Sequence, residues 1–191
     1  MSNVTRTGDP VAPTEATSST AGLRRLYVVR FAFAIVWAGL LAATASSLTA
    51  VSVALLVLYP LFDVAAAAYD VRSSGATRPR GPLLLNMAVS LLAALALGVA
   101  VSSGIPDVLR VWGAWAIAAG VVQLVVAVQR RRVGGQTPLI LSGGISTLAG
   151  ASFVVMAAGS EPSLTSLAGY ATLGGVFFLV SALRLGRRTD A

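Results

Sequence analysis

The chain has 191 residues, of which 56% are hydrophobic and only 11% charged. A soluble domain carries roughly a quarter charged residues, so an ordinary soluble fold is excluded, and so much apolar side chain excludes disorder as the main state. There is no Cys and no His, which removes disulfides, thiolate and imidazole metal sites, and any Ser-His or Cys-His nucleophile pair.

The seven acidic residues are scattered, with no paired carboxylates, no Gly-rich phosphate loop ending in Lys and no G-x-S-x-G. The sequence therefore predicts no enzyme: no catalytic residues, no metal ligands and no cofactor. The formal charge of +7 comes from 14 basic residues, all of them Arg. Such an excess fits either nucleic-acid binding or the positive-inside pattern of a membrane protein, and position decides between them.

Residues 1–22 are rich in Ser, Thr, Pro and Gly without an apolar period and read as a disordered cytoplasmic tail. From Arg24 onward, long apolar runs alternate with short polar breaks. A spanning helix needs about 20 mostly apolar residues. Six runs qualify, at 26–45, 48–69, 83–102, 108–129, 138–158 and 164–184. Backbone facing lipid must bond internally, so these runs are helices. The predicted fold class is all-α: an integral membrane domain over 23–188, six transmembrane helices in three repeated helical hairpins, and a short cytoplasmic C-terminus at 189–191.

The Arg residues now become a topology signal. Arg6, Arg24 and Arg25 precede the first run, Arg72, Arg78 and Arg80 follow the second, Arg130 to Arg132 follow the fourth, and Arg184, Arg187 and Arg188 close the sixth. That puts 12 of the 14 on one side. The positive-inside rule makes both termini cytoplasmic in a bacterial inner membrane, with the bilayer as partner and no nucleic acid. Asp107 and Glu161 fall on the outer side.

Two segments repeat at an offset of 55: WAIAAGVVQLVVA from Trp115 and YATLGGVFFLVSA from Tyr170. Odd-numbered helices align at an offset of 56, with Arg30, Asn86 and Ser142 in register. Small-x-x-x-small patterns recur at Ala116/Gly120, Ala171/Gly175, Ser90/Ala94/Gly98 and Ser142/Ser146/Gly150. Such faces bring helices together in lipid, within one chain or, as the sharper reading, in a homo-oligomer or against another membrane protein. Tyr27, Tyr69 and Trp112 sit where interfacial anchors belong.

Polar groups inside the spans are the candidates for chemistry: Arg30, Asp63, Asn86 and Gln123. If the first hairpin turns at Ser46-Ser47, Arg30 and Asp63 are level and oppositely charged. The alternative for Arg30 is snorkelling, with the inner interface about 7 Å away at 1.5 Å per residue. The same construction levels Asn86 with Gln123 and Ser142 with Ser181. Pro60 removes a helix bond one turn before Asp63, and Tyr59 is placed to bond Asp63 at i, i+4. A second role for Asp63 is that of a proton-carrying carboxylate.

The runs YPLFDVAAAAYDVR from Tyr59, WGAWAIAAGVVQLVVAVQRRR from Trp112 and GYATLGGVFFLVSALRL from Gly169 resemble the HdeD-like family of small bacterial inner-membrane proteins. The resemblance spans about residues 25–188. It implies six membrane helices in repeated pairs and a role in envelope or acid-stress physiology, and it supplies no catalytic or binding residues. Two other readings stay open: a small transporter or channel centred on Asp63, and a scaffold that binds partner helices.

Overall fold

The computed structural model describes residues 14–73, 80–129 and 137–189. Residues 1–13 of the expected tail, Arg78, the Arg130–Arg132 cluster and residues 190–191 lie outside them. Six long helices follow one another: α1 (Thr14–Thr44), α2 (Ala50–Ser73), α3 (Arg80–Ala100), α4 (Ile105–Gln129), α5 (Thr137–Met156) and α6 (Thr165–Thr189). A single 3₁₀ turn (Val101–Ser103) extends α3, and the described residues contain no strand. All six helices are long and apolar enough to cross a membrane.

Each predicted span is helical, and α1 starts earlier than the composition suggests. Thr14 to Gly22, read from sequence as the end of the tail, belong to α1. Pro13 is the last strong breaker before an unbroken run, and extending an existing helix costs far less than nucleating one.

Local chemistry sets the helix ends. Thr49 and Ser52 cap α2 reciprocally, each backbone N–H donating to the other's hydroxyl, at 2.8 Å for Thr49 N and 3.2 Å for Ser52 N. Gly104 separates the 3₁₀ turn from α4 with φ of 100°, a left-handed conformation that glycine tolerates without a Cβ clash. The Ser163 hydroxyl accepts from Thr165 N at 3.2 Å before α6. Pro82 and Pro138 fall in the first turns of α3 and α5, where no intrahelical N–H is lost.

The helices form a ring in chain order that closes between α6 and α1. The closest pairs are α4–α5, α1–α6 and α2–α3; α1–α2 and α3–α4 touch less, and α5–α6 scarcely at all. This differs from three equal hairpins as the packing units. The reason lies in where the small residues fall. Gly113 faces Gly150 and Gly120 faces Gly143 across α4–α5, so closely that a Cβ on Gly113 would stand 2.6 Å from the Gly150 carbonyl. Gly175 of α6 similarly meets Ala34 of α1, with room for a Cβ only at 3.1 Å. Three of the four small-residue patterns, those ending at Gly120, Gly150 and Gly175, therefore serve contacts within the chain, whereas Gly98 is exposed with open space beside it.

The bundle has two unlike halves. In the half away from the termini, Leu41, Leu56, Leu97, Leu109, Leu164 and Leu167 are fully buried with Trp37 and Trp112 in one apolar core. The half nearer the termini is hollow. On the outside, Leu92, Val99, Leu148 and Val155 are each more than 60% exposed, an apolar exterior suited to hydrocarbon rather than water.

Candidate functional site

Asp63 lies one turn after buried Pro60 on α2 and faces the interior. Arg30 Nη2 donates to Asp63 Oδ1, so α1 and α2 are joined by a level ion pair, one of the two readings the sequence leaves open beside snorkelling. Asn86 and Ser90 are one turn apart on α3 and therefore share a face. Asn86 Nδ2 donates to Asp63 Oδ2 at 2.7 Å, and Ser90 Oγ donates to the same oxygen at 2.8 Å. Ser90 Oγ in turn accepts from Trp115 Nε1 of α4 at 3.1 Å. The Arg30 guanidinium carbon stands 4.6 Å above the Phe178 ring of α6, within cation–π range.

Five helices thus converge on one carboxylate and its counter-ion. Two opposite charges within a span are tolerable only when paired and hydrogen-bonded, and here both carboxylate oxygens have donors. The Arg30 and Asp63 side chains are 17% and 15% exposed, so the pair is not sealed but borders open space.

That space is a cavity of about 420 Å³ in the termini half of the bundle. Arg30, Asp63, Asn86, Gln123, Ser142 and Ser181 all line it, so every intramembrane polar residue singled out in the sequence meets there. Only the first level pair is bonded directly. Asn86 turns to Asp63 rather than Gln123, because α3 packs more closely on α2 than on α4. Gln123 instead donates to the Leu139 carbonyl on α5 at 3.0 Å, and Ser181 donates to Phe177 O of its own helix at 2.8 Å.

Aromatic rings close the inner end. Trp37, Tyr59, Trp112 and Trp115 pack with ring centroids 4.6 to 6.0 Å apart, mostly tilted or edge-on. Trp112, read from sequence as an interfacial anchor, is fully buried in this cluster. Tyr59, expected to bond Asp63, packs among the rings instead, and Asp63 takes its donors from α1 and α3.

Sequence reasoning missed Ser90 as a partner of Asp63, Trp115 as the support of Ser90, and the Ser146–Tyr170 hydrogen bond on the cavity wall. The first had a signal: Asn86 and Ser90 stand four apart, but the serine was assigned to a small-residue face. Among the described residues no three His, Cys, Asp or Glu side chains gather to hold a metal ion. What the described residues offer is binding chemistry: one cation, one anion, two amides and hydroxyls inside an aromatic-walled chamber. No family model, curated protein or solved structure matches the chain.

Proposed function

We propose that this is a non-enzymatic inner-membrane protein with both termini cytoplasmic, whose cavity takes up a small solute from the cytoplasmic side in the manner of a transporter. The observation that carries this reading is the convergence of the polar residues of all six helices on one cavity rather than in a filled core. A scaffold needs outward faces, yet Gly120, Gly150 and Gly175 are spent inside the chain. The packed apolar core beyond the tryptophans closes the opposite half, which fits one state of an alternating-access carrier better than an open channel.

The resemblance to the HdeD-like family, and with it a part in envelope or acid-stress physiology, belongs to the same proposal. It rests on the runs that begin at Tyr59, Trp112 and Gly169.

The natural absence of cysteine makes the test direct. Ser142→Cys, a near-isosteric change in the cavity wall, should react with a membrane-impermeant thiol reagent supplied on the Arg-rich side and not with reagent on the other side. In proteoliposomes under a pH gradient, wild-type flux should fall on Asp63→Asn. A cysteine at 142 that is inert from both sides would overturn the chamber reading, and equal flux in the two proteins would overturn transport of protons.

A further inference from the structure

The α5–α6 seam is the sparsest contact between sequence neighbours in the ring, and a second hollow of about 640 Å³ lies along it. Its walls are largely aliphatic: Leu141 from α5, and Leu173, Val176 and Val180 from α6. Leu141, Leu173, Val176 and Val180 are all exposed, so this groove faces the outside of the bundle, where hydrocarbon would lie. At its termini end stands Arg184, exposed and turned into the groove. The groove and the central cavity share Tyr27, Pro138, Leu139, Phe177 and Ser181, so a single layer of side chains separates them.

Resting on the chamber reading above, we infer that the solute is an anionic amphiphile dissolved in the adjoining leaflet, which passes sideways between α5 and α6. The chain of such a molecule would lie along Leu173 and Val176, as a lipid chain lies in its leaflet. Its charged head would meet Arg184 at the boundary, and past Tyr27 and Ser181 it would reach Arg30, which Asp63 pairs in the chamber. Charge complementarity sets the class: among the described residues the groove carries a cation and no acid, and the same end of the bundle carries Arg24, Arg25, Arg72, Arg80 and Arg187. A basic end draws anions from the bilayer surface, worth several-fold in local concentration per Arg. A neutral or cationic amphiphile gains nothing there.

The probe is oleate, compared with oleyl alcohol, in vesicles bearing single-cysteine proteins. Oleate should slow labelling of Ser142→Cys and Ser181→Cys several-fold, and oleyl alcohol should not. Gly81→Cys, exposed on the first turn of α3 at the same end, controls for altered surface charge and should label at an unchanged rate. Adding Arg184→Gln should raise the oleate concentration needed by roughly fivefold. If both cavity cysteines label but oleate leaves their rates unchanged, or if the alcohol protects equally, the lateral route is wrong while the chamber stands. If neither cysteine labels at all, the chamber and the lateral route fail together.

Discussion

Asp63 accepts from Arg30, Asn86 and Ser90, and Ser90 is itself steadied by Trp115. Losing one member of a buried pair leaves the other charge uncompensated in a low dielectric, at a cost near 3–5 kcal/mol. Asn86 and Ser90 still solvate the carboxylate when Arg30 is gone, and Phe178 still faces the guanidinium when Asp63 is gone. Arg30→Gln and Asp63→Asn are therefore expected near the low end, about 3 kcal/mol each, read as lower melting temperature or yield of the purified protein. The charge swap Arg30→Asp with Asp63→Arg should recover only part of the loss, since the new carboxylate would sit against the Phe178 ring. Additive losses in the double-mutant cycle would rule out coupling. The sequence shows two opposite charges at one depth, which makes this pair one of two readings for Arg30; chain spacing alone does not separate it from snorkelling. Ser90 was not legible, because its role depends on α3 facing α2, and chain spacing alone suggested α4.

The helices pair where glycine lets their backbones meet. Gly113 and Gly120 on α4 stand seven apart, as do Gly143 and Gly150 on α5, a spacing of about two turns that keeps each pair on one face of its helix. Gly150→Ala would put a methyl group 2.6 Å from the Gly113 carbonyl, and Gly120→Ala would put one 2.7 Å from the Gly143 carbonyl. Overpacking of this kind costs about 1–3 kcal/mol, and backbone atoms yield less than side-chain tips. Gly98→Ala meets open space and should be neutral or gain up to about 1 kcal/mol from helix propensity. Thermal melting of the three variants should therefore split in sign. The sequence showed spacings of four and pointed to the right residue class. It did not show which pairs form, because these helices are apolar all round and no polar face marks the outside.

At the scale of the molecule, the number of spans and the side on which the Arg residues fall were both legible, because lipid demands about 20 apolar residues per crossing and Arg is retained on one side. The closure of the ring through α1 and α6 was not, since contact between the two ends of a bundle leaves no local trace. The proposed topology predicts that Ser160→Cys, in the exposed turn between α5 and α6, reacts in intact spheroplasts, whereas Gly81→Cys reacts only after permeabilisation. The reverse pattern would invert the protein in the membrane and place the chamber in its outer half.

The α1–α6 contact also governs how the protein is made. During synthesis α1 is made first, yet the surface that holds Ala34 against Gly175 and Arg30 over the Phe178 ring arrives only with α6, after four intervening helices. Until then Asp63 of α2 pairs the Arg30 guanidinium, but its Phe178 face and the Ala34 seam stay uncovered, an incomplete intermediate with exposed apolar surface. Ring closure is in this sense a checkpoint of biogenesis: a nascent chain that stalls before α6 has five helices in the membrane and still no finished wall around its charges.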